Sequence, residues 1–262
     1  MVKSTVLSNG IRIVTETVPG VHSVSVGIWV KTGSRHESKE ETGIAHFIEH
    51  MLFKGTEKYT ARDIARLIDS VGGVFNAFTT KEYTCLYIKV LSQHVSLAID
   101  ILCDIFFCSL FHQDEIEKER NVIIQEINMV KDTPDDFVQE LFNQAYFGDH
   151  PLGYNILGEL DTVQRFGKKD IVDFFEREYL VSERIIITAA GNICHEDLLE
   201  GFGNHFEKIQ RKSDAPAQEL FVPRRNVSFH FRKLEQVHVC MGTEGHSHVA
   251  PERHALYVLN AI

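Results

Sequence analysis

A short apolar stretch that carries three polar side chains at helical spacing constrains this chain more than any other part of its sequence. His46, Glu49 and His50 occupy positions i, i+3 and i+4, so a helix places all three on one face. Ser38–Glu41 has the form of a capping box ahead of this helix, and Gly55 stands where a C-cap glycine would end it. The positions between are mostly large and apolar. We therefore predict a short, largely buried helix of about 12 to 14 residues.

The order of the polar residues, His-x-x-Glu-His, is typical of the inverted zincins, in which two histidines bind zinc and the glutamate transfers protons. Burying these side chains is unfavourable unless they share a partner such as a metal ion. With 14 histidines in the chain, the pattern can also arise by chance. Histidines satisfied within the core or at the surface therefore remain an alternative on the motif alone.

A third metal ligand must come from elsewhere in the chain, because a catalytic zinc usually has three protein ligands and one open position. The best donor segment is 114–128, which combines strong helix formers with apolar residues at helical spacing. Glu119 and Glu126 are two turns apart on one face of this helix. Glu126 is the more unusual of the two, because isoleucines surround it. We interpret Glu115 and Glu117 as part of a solvated face.

Several longer segments resemble one family of peptidases. The run Gly43–Thr56 and the later run Glu119–Ile127 look like the pitrilysin and mitochondrial processing peptidase family, and most like its bacterial processing-peptidase-like members. Further segments match that family: Gly72–Thr80, His150–Gly153 and Ala190–Ile193. The similarity extends along essentially the whole chain.

The resemblance implies a zinc-dependent metalloendopeptidase. Carried over by position, it makes His46, His50 and Glu126 the ligands of a zinc ion (Zn2+) and Glu49 the general base. It gives Glu119 a supporting role, which a hydrogen bond to a ligand imidazole would explain. In such a site zinc makes water acidic and Glu49 accepts a proton from it before returning one to the leaving amine.

A segment after the Gly72–Gly73 turn is a candidate substrate-binding strand. Asn76, Ala77, Phe78 and Thr79 belong to a stretch of alternating character that predicts a strand. In the family that this chain resembles, a strand here pairs with extended substrate, which is peptide recognition by strand addition. On sequence alone an ordinary sheet strand is an equally good interpretation.

Composition and charge argue against several other classes of protein. No apolar run approaches the roughly 20 residues of a membrane-spanning helix, so we expect no membrane partner. A formal net charge of −10 argues against a nucleic-acid partner. The five cysteines form no C-x-x-C pair and are odd in number, which indicates a reducing compartment. Because Met1 is followed almost directly by a predicted strand, leaving no room for a signal peptide, we predict a cytoplasmic location.

The remaining pattern predicts an α+β fold, with a mixed, mostly antiparallel sheet and helices packed on it. Strands are predicted at 5–16, 24–32, 75–90 and 184–190, with a strand pair at 227–241. Besides the two helices of the metal site, helices are predicted at 60–71, 94–107, 134–146, 168–179 and 195–206.

The sequence also predicts two units of related structure. Residues 1–209 would form the zinc-bearing α+β peptidase domain, the polar, turn-rich segment 210–220 a linker, and residues 221–262 the start of a second, similar unit that is incomplete. Gln236–Gly242 resembles Ser23–Ile28, which indicates a duplicated α/β unit. The second copy has no counterpart to the histidines of the first.

The sequence leaves two candidate functions. The first is hydrolysis of peptide bonds in extended peptides or presequence-like segments. The alternative is a catalytic-half fragment, or a non-catalytic partner subunit, that is inactive without a missing C-terminal region, because residues 255–262 end inside an apolar helix pattern. The expected partners are a peptide substrate and a second copy or partner subunit. A purely structural metal site is disfavoured, since it would not need Glu49.

Overall fold

A mixed six-stranded β-sheet forms the centre of the computed structural model, which describes residues 1–209, 221, 226–247 and 249–261. The strands are β1 (Val2–Val6), β2 (Arg12–Thr17), β3 (Ser23–Val30), β4 (Val74–Thr79), β5 (Thr84–Leu91) and β6 (Ile185–Gly191). Their order across the sheet is β1-β2-β6-β3-β5-β4. Neighbouring strands are antiparallel except β2 and β6, which run parallel. β4 therefore lies at one edge of the sheet.

In the described part of the chain, helices follow the strands in three groups: two after β3, five after β5 and two after β6. They are α1 (Ile44–Leu52), α2 (Ala61–Ser70), α3 (Val95–Cys108), α4 (Gln113–Asp132), α5 (Pro134–Phe147), α6 (Leu160–Arg165), α7 (Lys168–Phe174), α8 (His195–Phe206) and α9 (Arg253–Asn260). A π-helical turn, Phe175–Tyr179, extends α7. The α+β fold predicted from the sequence is confirmed.

The core lies on one face of the sheet, because alternate strand residues point to opposite sides. Val24, Val26 and Ile28 of β3 are fully buried, whereas Ser25 and Trp29 on the other face are partly exposed. Helix α3 packs on β3 and β5, α8 packs on β2, and α1 lies between β4 and α4. The sheet thus holds α1 on its β4 side, with α4 packed against it.

Two predicted continuous strands are hairpins in the structure. The prediction of one strand over 75–90 is wrong, because β4 and β5 are joined by a turn in which the Thr80 N–H donates to the Tyr83 carbonyl over 2.8 Å. The prediction over 5–16 is wrong in the same way, since a turn at Gly10, with φ of 96°, separates β1 from β2. Polar turn residues interrupt the strand pattern in both places.

The metal-site helix is shorter than predicted. α1 has nine residues, and Ser38–Glu41 belongs to a separate 3-10 turn, in which the Glu41 carboxylate accepts a hydrogen bond from the Ser38 N–H. The chain then bends at Gly43, whose φ is 93°. A Cβ at this position would lie 2.7 Å from the Gly158 Cα, so both the conformation and the close backbone approach require glycine.

The predicted strand pair at 227–241 is wrong. Within the described residues this segment pairs with no strand, and its alternating apolar side chains face solvent, with Phe231 92% and Met241 89% exposed. It lies along α5 through contacts such as that of His238 Nδ1 with Asp135 Oδ1 at 2.7 Å. A strand needs a neighbouring strand to satisfy its backbone, and the described residues supply none here.

The predicted linker, 210–220, lies outside the described residues, so the division into two units stays a prediction. Among the described helices, none combines the length and the apolar character that crossing a membrane requires.

Candidate metal centre

Helix α1 presents both histidines of the motif on the side that faces α4. Its other side is anchored in the core by Phe47, Ile48 and Met51, each at most 1% exposed. The ring centroids of His46 and His50 are 4.6 Å apart. The one-turn spacing of the sequence therefore places the two imidazoles side by side, as predicted.

Helix α4 supplies a carboxylate between these rings. Glu126 Oε2 lies 3.8 Å from His46 Nε2 and 3.6 Å from His50 Nε2. One ligand atom from each of the three residues falls within 4.8 Å of the others, and no other such group of three His, Cys, Asp or Glu occurs in the described part of the chain. The structure thus brings together the three residues that the sequence analysis assigned as ligands.

The donor set fits a zinc ion. Two imidazole nitrogens and one carboxylate oxygen are ligands that Zn2+ accepts, and tetrahedral bonds of about 2 Å set them roughly 3.3 Å apart. The observed separations are somewhat wider, so small side-chain rotations suffice to close on an ion. Burial, together with a smaller contribution from charge on His50, lowers the pKa of His46 to about 3, so the imidazole is neutral and its lone pair is free to bind a metal.

Glu49 stands beside the ligands on the same helix face. Its Oε2 is buried and has no hydrogen-bond partner among the described residues. Burial raises the pKa of Glu49, while hydrogen bonding from Thr79 at the end of β4 acts in the opposite direction. A carboxylate with a raised pKa and one buried, unpaired oxygen is suited to exchange protons.

An open cavity of about 150 Å³ adjoins this carboxylate. It is lined by Glu49, His50, Phe53, Lys54 and Glu119. Polar and charged groups thus converge on a space that can hold water or a small part of a substrate.

Glu119 meets His50 from the far side of the ring. Its Oε2 lies 3.0 Å from His50 Nδ1, and its Oε1 lies 2.6 Å from Lys54 Nζ. If the Nδ1 proton is donated to Glu119, Nε2 keeps its lone pair toward Glu126. The structure therefore places Glu119 in hydrogen-bond contact with His50, and its supporting role stays a prediction. Glu115 and Glu117 instead pair with Lys118 and Arg120 on the outer side of α4.

The candidate substrate-binding residues lie on β4, next to α1. Asn76 and Phe78 point to the exposed side of this edge strand, Ala77 is buried, and Thr79 contacts Glu49. Phe78 belongs to an aromatic cluster with Trp29 at 5.7 Å and Tyr83 at 6.1 Å between ring centroids. The four residues are therefore beside the site.

Two residues that contact the site's framework were missed from the sequence. Glu37 is 3% exposed, and its carboxylate accepts hydrogen bonds from the Gly43 and Ala45 N–H groups at the start of α1, both at 2.9 Å. It acts across a turn, so no local capping pattern indicates it. Lys54 follows His50 by four residues, a spacing that places both on one side of the chain wherever the helical path continues past Leu52, and this was a usable signal.

Comparison with known proteins places this geometry in a family. The family model described as Insulinase (Peptidase family M16) matches residues 12–160. An uncharacterized zinc protease of Bacillus subtilis, YmxG, is 42% identical over 269 residues, covering 100% of this chain and 64% of the relative. An uncharacterized zinc protease of Rickettsia bellii is 40% identical over 250 residues, covering 94% of this chain and 60% of the relative. The chain thus spans less than two thirds of these relatives.

Solved structures show the same fold. A protease from Helicobacter pylori superposes with a TM-score of 0.75 at 25% identity, over 86% of this chain and 54% of that protein. The first half of the periplasmic protease PqqL from Escherichia coli gives 0.73 at 22% identity, over 83% of this chain and 48% of that one. With the family model covering more than half of its residues, the chain belongs to the insulinase family of peptidases, family M16.

Proposed function

We propose that this chain carries the zinc site and the general base of a metalloendopeptidase. The observation that supports the proposal most strongly is the convergence of His46 Nε2, His50 Nε2 and Glu126 Oε2 beside Glu49, whose buried Oε2 has no hydrogen-bond partner among the described residues. Zinc held there supplies Lewis-acid chemistry, which makes water acidic near neutral pH and polarises a peptide carbonyl.

The protein's own groups have separate roles in this proposal. Glu49 accepts a proton from the attacking water and returns it to the leaving amine. Its pKa, which burial raises, suits it to this exchange. Glu119 accepts a hydrogen bond from His50 Nδ1 and so fixes the tautomer whose Nε2 binds the metal. His46, His50 and Glu126 hold the ion.

The substrate is an extended peptide or presequence-like segment that adds as a strand to the edge of β4. β4 pairs with β5 on one side and is the last strand of the sheet on the other. A peptide laid along Asn76–Thr79 has its backbone beside Glu49, because Thr79 contacts that carboxylate.

A second candidate follows from the length of the relatives. Because the chain spans 64% of the Bacillus relative and 60% of the Rickettsia relative, it would act as a catalytic half that binds zinc but cleaves only with a further region or a partner subunit. A second copy of the chain is one such partner.

Peptide hydrolysis separates these candidates. A quenched fluorescent peptide with basic residues is incubated with zinc-loaded wild-type protein, with Glu49→Gln, and with the exposed control Glu117→Gln. If wild type and the control cleave while Glu49→Gln binds zinc and is slower by about 100-fold or more, the peptidase proposal stands for this chain. Zinc binding without cleavage by any of the three favours the catalytic half. Equal cleavage by Glu49→Gln contradicts the assigned base.

A further inference from the structure

Lys54 lies immediately beyond α1 and contacts the carboxylate that supports His50. Its Nζ is 2.6 Å from Glu119 Oε1, and the Glu119 side chain is 9% exposed. The other oxygen of the same carboxylate is 3.0 Å from His50 Nδ1. One nearly buried carboxylate thus joins a lysine to a histidine of the metal centre.

The position of Lys54 near the end of α1 does not by itself explain its contact with Glu119. A cation beyond the C-terminus of a helix is favourable through the helix dipole alone, but that effect does not require contact with α4. Glu119 needs two partners, since a carboxylate removed from water is unfavourable when an oxygen is unpaired. Lys54 occupies Oε1 and so leaves Oε2 directed at His50.

We propose that Lys54 is a positioning residue, which acts through Glu119 to fix the orientation and tautomer of His50 and thereby strengthens metal binding. The inference rests on the proposed zinc site. It adds Lys54 to that site as the third residue of a series in which His50 contacts Glu119 and Glu119 contacts Lys54. Without the ammonium group, the Glu119 carboxylate loses its cation and rotates toward solvent through the adjoining cavity, whose lining includes both residues. His50 then has no fixed acceptor at Nδ1.

The test compares Lys54→Met with Lys58→Met. Lys58 also follows α1, but it is 52% exposed and pairs with Asp100 at 3.1 Å, so the control removes the same charge without touching Glu119. Zinc affinity is measured by competition with a chromophoric chelator. We expect Lys54→Met to weaken zinc binding by about 10- to 100-fold, Lys54→Arg to retain most of the affinity, and Lys58→Met to match wild type.

A second readout does not depend on zinc. In metal-free, 15N-labelled protein, long-range 1H–15N spectra distinguish a histidine protonated on Nδ1 from one protonated on Nε2. We expect His50 to be the Nδ1–H tautomer in wild type and Lys58→Met, and a mixture in Lys54→Met. These spectra also show whether Lys54→Met is folded, and Lys54→Arg keeps the test valid where the methionine variant is not.

A double-mutant cycle tests whether Lys54 acts through Glu119. In a Glu119→Gln background, adding Lys54→Met should change zinc affinity by less than about twofold. An equal loss in both backgrounds would overturn the proposal, because Lys54 would then act by its charge alone. Unchanged affinity and tautomer in Lys54→Met would overturn it as well. If wild type binds no zinc, the proposed function fails, while the tautomer measurement still decides the role of Lys54.

Discussion

Glu37 gives the sharpest prediction about stability, because its carboxylate is buried at the start of the metal-site helix and no cation of the described residues is in hydrogen-bond contact with it. Burial raises its pKa from 4.5 to about 8, although the N–H groups of Ala45 and Gly43 act to lower it. The folded protein therefore holds this proton more tightly than the unfolded chain does. It follows that the stabilisation is complete below pH 4.5 and is lost as the pH rises through 8.

The perturbation is Glu37→Gln, which keeps the shape of the side chain but cannot ionise. Between pH 5 and 8, linkage predicts that the unfolding free energy of wild type falls relative to the variant by roughly 1 kcal/mol per pH unit, on the order of 4 kcal/mol across the interval between the two pKa values. Replacing one hydrogen-bond acceptor at the helix start should also lower the unfolding free energy of the variant by about 1 kcal/mol at every pH.

Urea unfolding of both proteins at pH 5, 6, 7 and 8 measures this difference, with the exposed Glu117→Gln as a control whose difference from wild type is constant. A difference between wild type and Glu37→Gln that does not change with pH would refute the reasoning. It would mean that the two N–H donors keep Glu37 ionised in spite of its burial.

Two further predictions concern the placement of the helices. Gly43→Ala forces a Cβ to within 2.7 Å of the Gly158 backbone at a φ of 93°. We therefore expect urea unfolding to show a loss of about 1 to 3 kcal/mol in unfolding free energy, and chelator competition to show weaker zinc binding. Unchanged values would show that the two segments separate freely. Ile123→Ala removes a fully buried side chain of α4 and should lower the unfolding free energy by about 2 to 5 kcal/mol. Val122→Ala, at a 40% exposed position on the same helix, should lower it by less than about 1 kcal/mol. Equal losses would contradict the packing of α4.

The metal centre was predictable from sequence because its geometry is set by helical periodicity. His46 and His50 share a face of α1 at a spacing that any helix preserves. Glu126 was identifiable as a polar residue in an apolar environment, and the structure places its Oε2 3.6 Å from His50 Nε2. Pairing these helices, however, depended on the resemblance to a known family.

Contacts between residues on opposite sides of a turn were harder to predict from the sequence. Glu37 caps α1 from outside the helix, so no fixed spacing reveals it. The alternating pattern of residues 227–241 indicated strands, but backbone pairing requires a neighbour, and this segment has none among the described residues. The cytoplasmic location, the linker and the second unit stay predictions.

Zinc stoichiometry tests the central claim most directly. Elemental analysis after dialysis against zinc and then metal-free buffer would be made on wild type, Glu126→Gln, Glu49→Gln and the control Glu117→Gln. The account predicts about one zinc per chain in wild type, Glu49→Gln and Glu117→Gln, and loss of zinc in Glu126→Gln. Zinc retained by Glu126→Gln, or absent from wild type, would contradict the assignment of His46, His50 and Glu126 as a metal site.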